Sequence, residues 1–435
     1  MASLAATEFS LVASRVDAVL VFNSIAGSSL AAITDAFRDE HRIVVTAKAL
    51  LNHGEVADWV LFKRPPRALK CLSVPAGQPT VHRFAVAAGD TDDVVAWVND
   101  VMQWHERERV MRFLERAQRN PRKCRVVDDA PTDQAVFDAL ASNQPTVFRG
   151  AALDWPARQL WTADRLREQS GDVLLSVKAS ADGRFEGVES AADWPEQRDL
   201  PAYVRQHLAH PELVTVRAAD VALTMRELLD TFSSSSNETS LYLEYTSFDA
   251  IPMLAAGVPR PLFPFAGFLQ RSHLNVWLGD GRTTGKLHFD EYENVLAQVV
   301  GRKVFKLISA NNRSFESHIR EVQFEYDRSH GKLRRSRLLE STSMTMAPFA
   351  NVRDDEVFTC NVEPGDVFVL PAFTWHEVQS ERVQAETINL MVNAWFAPLR
   401  TREFVCPTCD WTFDTARYRD ALIKFGDGNR ERDEL

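Results

Sequence analysis

Two histidines and an aspartate in the second half of this 435-residue chain could hold a metal ion. In Leu287-His288-Phe289-Asp290 the histidine and the aspartate are two apart, so on a strand both side chains leave the same face. Downstream, Pro364-Gly365-Asp366 predicts a turn, and Val367-Phe368-Val369-Leu370-Pro371 predicts a strand leading to Trp375-His376. Two imidazoles and one carboxylate form a facial set that leaves three coordination positions open. Such a set suits Fe(II), which then has room for a bidentate cosubstrate and for dioxygen. Zinc favours four-coordinate closure with more nitrogen or sulfur ligands, so iron is the expected ion. Taken singly, a His-x-Asp pair is a weak signal, and a histidine after a capped strand is as readily a core residue.

The residues between the ligands narrow the reading. Glu291-Tyr292-Glu293-Asn294 precedes the apolar run Val295–Val300, and Gly301-Arg302-Lys303-Val304-Phe305 follows it. Further matches are Val276-Trp277-Leu278-Gly279-Asp280, Leu370-Pro371-Ala372, His376-Glu377-Val378-Gln379 and Val392-Asn393-Ala394-Trp395-Phe396. An earlier pair, Pro145-Thr146-Val147-Phe148-Arg149-Gly150 and Asp154-Trp155-Pro156-Ala157, completes the pattern. From about Asp133 to Phe396 the chain thus closely resembles the Jumonji-C (JmjC), cupin-like 2-oxoglutarate oxygenases of the small hydroxylase type. That group includes an asparaginyl hydroxylase and a wybutosine-synthesising tRNA hydroxylase. The resemblance is greatest to the JmjC lysyl hydroxylases of translation-associated GTPases.

The resemblance implies roles for single residues. His288, Asp290 and His376 would ligate Fe(II). Lys303 and Tyr242 would hold the distal carboxylate of 2-oxoglutarate, and Asn294 and Asn393 would lie near metal and cosubstrate. The family often carries Thr or Ser three residues before the first histidine ligand. Here that position is Gly285, and Thr284, one step earlier, is the candidate substitute. On residue type alone Lys303 also fits a hairpin lysine and Tyr242 a core tyrosine, whereas buried amides need partners.

The elements that must position these residues are β-strands. The resemblance implies a double-stranded β-helix, a jelly-roll relative with two sheets around a pocket, flanked by helices. The overall expectation is a mixed fold: an α/β domain over 1–118, the oxygenase domain over 119–400 and a helical tail over 401–435. In the first domain, Val19–Phe22, Ile43–Val45 and Trp59–Phe62 read as strands, while 28–40 and 92–104 carry apolar residues at helical spacing. This series resembles the non-catalytic thioredoxin-like domains of protein disulfide isomerases. Redox-active members carry Cys-x-x-Cys at the first helix start, where this chain has Ala26-Gly27-Ser28-Ser29, which implies a redox-inert module that recruits a partner.

Composition bounds the partners. The chain has 50 Lys plus Arg against 60 Asp plus Glu, a net charge of −10 that argues against gripping nucleic-acid backbone. No apolar run approaches the roughly 18 residues of a membrane span. Five cysteines, an odd and sparse count, suit a reducing compartment better than a disulfide scaffold. Cys406-Pro407-Thr408-Cys409 has no second pair nearby, which argues against structural zinc. The expected location is the cytosol or nucleus. The closing Arg432-Asp433-Glu434-Leu435 resembles a retrieval signal and keeps the endoplasmic-reticulum lumen as an alternative.

Basic residues between Arg107 and Arg125 read as a solvated linker, or as a docking strip for an acidic client or RNA. The charge-rich 315–355 segment reads as a loop insertion whose Lys332, Arg334, Arg335 and Arg337 would favour an acidic surface. The resulting expectation is an Fe(II)- and 2-oxoglutarate-dependent hydroxylase acting on a protein side chain, lysyl or similar, and compatible with a homodimer. Lysine demethylation and tRNA-base hydroxylation are alternatives of the same class, and a non-catalytic scaffold is one of another class.

Overall fold

A computed structural model gives four strands within residues 1–109 and describes the chain from 110 onward, apart from 111–112, 118, 195–207, 209, 235–238, 313–318, 328–329, 331, 344–352, 384–386, 403–408 and 426–435. The chain divides into two compact units, Met1–Met111 and Arg112–Leu435. In the first, Val19–Phe22, Ile43–Thr46, Asp58–Phe62 and Val81–Ala85 form one sheet in the order second, first, third, fourth. The first two run parallel, and the other neighbours are antiparallel. The expected helices and the Ala26–Ser29 turn, on which the thioredoxin-like reading depends, lie outside the described residues.

Nine strands of the second unit position the site. They are β1 (Ser240–Ser247), β2 (Arg271–Gly279), β3 (Thr284–His288), β4 (Glu293–Val300), β5 (Arg302–Ile308), β6 (Phe358–Val362), β7 (Val367–Leu370), β8 (Trp375–Glu381) and β9 (Asn389–Phe396). The larger sheet runs Ala219–Thr224, Leu174–Ser180, β1, β2, β9, β4, β7, Thr146–Phe148, Arg125–Val127. The smaller runs β6, β5, β8, β3, Arg184–Phe185. From β2 to β9 the chain passes repeatedly between the two sheets, which is the expected jelly-roll arrangement.

Apolar residues hold the sheets face to face. Leu296, Phe368 and Met391 of the larger sheet pack against Phe305, Leu307 and Val362 of the smaller. Both β4 and β9 are buried at every position, so their polar residues, Glu293, Asn294 and Gln298 on β4 and Asn389 and Asn393 on β9, are enclosed along with the apolar ones. The turn before β7 needs Gly365, whose φ of +95° is costly for any residue with a Cβ. Its neighbour Asp366 accepts from the backbone N–H of Glu363 and of Gly150, each at 2.9 Å, tying that turn to the Thr146–Phe148 edge strand. Helix Asp133–Ala141, capped by the Thr132 hydroxyl, buries Val136, Phe137 and Leu140.

Three expectations change. The 315–355 segment is not a loop: Ile319–Asp327 and Lys332–Ser343 form an antiparallel pair, extended by Leu213–Arg217 and Val188–Ser190 into a second four-stranded sheet. Register shifts after Arg320 and Gln323 break the alternation that would have announced these strands. Its basic cluster is partly spoken for, since Arg334 pairs with Glu325 and Arg335 with Glu189. In the 107–125 stretch, Arg116 is bonded to Asp138 at 2.8 Å and Phe113 and Ala117 are buried, so this part is packed within the second unit and is not a solvated linker.

The third change concerns the cysteines, which are not all free thiols. Cys124 and Cys360 form a disulfide across 236 residues, with a Cα–Cα distance of 5.2 Å, and Cys409 is disulfide-bonded as well. A residue count carries no information about two positions that the fold alone brings together. Among the described residues no helix is long and apolar enough to cross a membrane.

One buried acid ties the fold to the site. Glu293 at the start of β4 accepts from the backbone N–H of Ala372 at 2.7 Å and of Leu399 at 3.0 Å; burial raises its carboxyl, and the Arg400 charge and these two bonds offset part of that. Ala372 opens the short loop that delivers Trp375-His376. Two buried donors left without acceptors cost about 1–3 kcal/mol each. Glu293→Ala should therefore lower the melting temperature by several degrees in a thermal scan, whereas Glu293→Gln, which keeps an acceptor, should cost less.

Candidate active site

The strand β3 ends at His288, and β8 begins at Trp375-His376. The two strands pair so that His288 lies directly opposite His376. Their rings are 4.2 Å apart between centroids, and Asp290, just past the end of β3, reaches the same spot. His376 Nε2 lies 3.7 Å from Asp290 Oδ2, and the donor atoms of all three residues fall within 4.8 Å of one another. Two bonds of about 2.1 Å to one ion span at most about 4.2 Å, so the His376–Asp290 pair already suits a shared metal.

The histidines are set up as ligands by their own strands. His288 Nδ1 lies 2.6 Å from the Lys286 carbonyl, and His376 Nδ1 lies 2.8 Å from the Thr374 carbonyl. A carbonyl can only accept, so each Nδ1 carries the proton and each Nε2 offers its lone pair to the centre. Burial holds the His376 imidazole well below its usual range, with His288 adding to the effect, which keeps it neutral. Burial raises the Asp290 carboxyl, while the nearby His288 lowers it. A cation among these donors would reverse that cost.

The triad opens onto a cavity. It is lined on a period of two from every side: Lys303 and Phe305 from β5, His376, Val378 and Ser380 from β8, and Asn294 and Leu296 from β4. Tyr242 and Glu244 come from β1, and Met391 and Asn393 from β9. Lys303 is 2% exposed. Its Nζ donates to the Tyr242 hydroxyl at 3.1 Å and to the Ser380 hydroxyl at 3.2 Å. Burial pushes its ammonium down to about 7, and the more distant charge of Glu244 offsets only part of that. A buried cation bonded to two neutral hydroxyls has unused capacity for an anion.

The two amides form one chain with an indole. Trp277 Nε1–H donates to Asn393 Oδ1 at 2.7 Å, and Asn393 Nδ2 donates to Asn294 Oδ1 at 3.0 Å. That orientation leaves the Asn294 amino group facing the cavity as a donor. The expected set of seven residues, His288, Asp290, His376, Lys303, Tyr242, Asn294 and Asn393, is thus gathered around one cavity.

The eighth, Thr284, is not. Thr283 and Gly285 line the cavity, while Thr284 between them does not. The register of β3 against β8 shifts between Gly285 and His288, so 283 and 285 face inward before the shift and 288 and 290 after it. Thr283 donates instead to the Ser380 hydroxyl at 2.9 Å, one bond behind Lys303. Sequence reading missed Ser380, although its spacing of four from His376 along a strand signals the same face. It also missed Glu244, which stands two residues beyond Tyr242 on the same strand, and Thr283, Glu186 and Tyr245, for which no periodic signal exists.

Comparisons with known proteins agree with this geometry. The cupin-like domain family matches residues 133–402. A lysine-specific demethylase, JMJ30 of Arabidopsis thaliana, is 26% identical over 261 residues, covering 60% of this chain and 51% of that protein. Lysine-specific demethylase 8 of Danio rerio is 24% identical over 56% of this chain and 52% of its own length. The human bifunctional peptidase and (3S)-lysyl hydroxylase JMJD7 is 23% identical over 62% of this chain and 83% of its length. The chain spans about half the length of the first two relatives. With its matching segment spanning more than half of the chain and enclosing every residue of the site, the chain belongs to the cupin-like, JmjC-type family.

Proposed function

We propose that this chain is an Fe(II)- and 2-oxoglutarate-dependent oxygenase that hydroxylates a side chain of a protein, lysyl or similar. The observation that carries this reading is the pairing, in one cavity, of a two-histidine, one-carboxylate donor set with a buried lysine that, among the described residues, is hydrogen-bonded to two hydroxyls. Both halves are needed: the donor set for the ion, the lysine for a dicarboxylate. Bound Fe(II) would supply the coupling of dioxygen reduction and 2-oxoglutarate decarboxylation to hydroxylation, releasing succinate and carbon dioxide.

The chain's own residues do the rest. His288, Asp290 and His376 would hold the ion with positions left open. Lys303 and Tyr242 would fix the far carboxylate, with Ser380 and Thr283 keeping the ammonium in place. Asn294, oriented through Asn393 and Trp277, would present a donor to the bound cosubstrate. The apolar wall of Leu296, Phe305, Val378 and Met391 would exclude water, which strengthens each of these interactions. The same chemistry directed at an N-methyl carbon gives demethylation, which the names of two relatives keep as the second reading. We further propose that residues 1–118 recruit the client, whose hydroxylation takes place in the second unit.

Asp290→Ala removes one of three ion donors, and it should abolish succinate formation from 2-oxoglutarate while leaving the far-ultraviolet circular dichroism unchanged. Undiminished turnover would overturn the metal assignment. Comparing the proteomes of cells carrying wild type and His288→Ala should reveal a client that loses a one-oxygen mass gain. A client that instead gains a methyl group in the variant would favour demethylation.

Lys303 gives a pH signature. In the free protein its ammonium is held down to about 7 from 10.5, so the folded state binds fewer protons than the unfolded chain across that window. Stability of the free protein should then rise as pH climbs from about 7 toward 10.5. A bound carboxylate favours the ammonium, so binding takes up a proton above pH 7, and 2-oxoglutarate affinity should fall as pH rises, by at most about tenfold per pH unit. Calorimetric titration at several pH values checks this. Lys303→Met should bind at least about tenfold more weakly and lose the slope.

A further inference from the structure

The metal donors have an aromatic layer behind them. Phe289 stands between His288 and Asp290 in the chain, and Trp375 directly precedes His376. The donors face the cavity, so alternation sends Phe289 and Trp375 to the other side. There they form a buried cluster with Leu287, Phe373 and Trp411. Phe289 meets Trp375 edge to face at 4.8 Å and Phe373 at 6.0 Å between ring centroids. Phe373 in turn stands 5.1 Å from Trp411.

Phe373 is the joint between the two donor segments. Its backbone N–H donates to the Asp290 carbonyl at 2.8 Å, and the carbonyl of the next residue, Thr374, accepts from His376 Nδ1. It makes this joint at a left-handed φ of 64°. A residue with a Cβ keeps such a conformation only where its surroundings over-determine it. Phe373 is buried, and the rings packed against it are those of Phe289 and Trp411.

Trp411 reaches this cluster from beyond the family's segment. The match to the cupin-like family ends at residue 402, and Trp411 stands just before Thr412–Phe413, the short strand that pairs with Arg400–Thr401. Its Nε1–H donates to Asn311 Oδ1 at 2.7 Å, and Asn311 Nδ2 donates to the carbonyls of Ala117 and Arg119. The guanidinium groups of Arg400 and Arg402 stand 5.2 and 4.5 Å from its ring centre. An indole tied at its N–H and covered by cations offers Phe373 a fixed surface.

We infer that Trp411 is a positioning residue for the metal donors: packed on Phe373, it holds the loop that sets Asp290 and His376 at the spacing of one ion. The inference rests on the donor-set part of the proposed reading and adds a residue outside the segment the family shares. Trp411 touches neither the ion nor the cosubstrate. Without its ring, the backbone at Phe373 relaxes toward ordinary φ. The Asp290 carbonyl then loses its donor, the Thr374 carbonyl turns away from His376, and the donor atoms converge less well.

The test measures Co(II) binding to the full chain by calorimetry, with the visible absorption of bound Co(II) reporting its coordination. Trp411→Ala should bind Co(II) at least about tenfold more weakly than wild type, as when a group that orients a metal ligand is lost, and with altered absorption. Trp411→Phe keeps a ring against Phe373 and should bind as wild type does. If the alanine variant does not fold, Trp411→Leu, which keeps much of the buried volume but no ring, takes its place. Tyr418→Phe is the control. Tyr418 donates to the Ala397 carbonyl elsewhere in the tail, so this variant should melt lower and bind Co(II) unchanged. In a Phe373→Leu background, adding Trp411→Ala should cost little further affinity, because the effect runs through Phe373.

Wild-type affinity in the folded Trp411 variant, or an equal loss in Tyr418→Phe, makes Trp411 a merely structural residue and overturns the inference. An undiminished further loss in the Phe373→Leu background overturns it too. Wild type that takes up no Co(II) sinks the oxygenase reading together with the inference. Wild-type uptake that Trp411→Ala leaves intact sinks the inference alone.

Discussion

Lys303 sits in the interior of a jelly roll with two hydroxyls for company and no carboxylate bonded to it. Removing an ammonium from water is expensive, and nothing in the free protein repays the full cost. The arrangement therefore constrains its surroundings. Tyr242 must face it from β1, Ser380 from β8 and Thr283, just before β3, from behind Ser380, and β1 and β8 belong to different sheets. An anion that satisfies Lys303 also lies beside the histidines, because Lys303 and His376 project into the same cavity from adjacent strands. The cavity is one electrostatic system in which each buried group is incomplete alone.

How much of this was legible in the sequence follows from the reach of local patterns. His288 and Asp290 announce themselves by an i, i+2 spacing that survives because both lie beyond the shift in β3. Thr284 was misplaced for the same reason, since the shift inverts which residues face inward upstream of His288. Tyr245 left no trace, because a bulge puts it at the cavity beside its neighbour Glu244, which no alternation encodes. In β4 the mostly apolar stretch Val295–Val300 was readable as a buried strand, whereas β9, and the positions of both in the sheet, came from the resemblance, not from periodicity. The accessory hairpin hid behind its irregular register, and the Cys124–Cys360 pair behind 236 residues of separation.

The accessory sheet matters to the site through one guanidinium. Arg217, on the strand Leu213–Arg217, bridges Glu186 at the cavity and Glu321 on the hairpin. A segment outside the jelly roll thereby sets the charge at the cavity entrance. Arg335, stacked over Trp194 and Phe324, holds the outer part of the same sheet together. Sequence changes in this region can retune the entrance without touching the metal donors.

The disulfide between Cys124 and Cys360 turns the intervening chain into a closed ring. Inside that ring lie His288 and Asp290 of the candidate donor set, together with Lys303, the accessory sheet and the cavity carboxylates Glu186 and Glu244. A protease cutting the backbone once anywhere within the ring would not release a fragment, because the two ends stay joined through sulfur. The nicked protein would migrate as one molecule without reductant and as two with it.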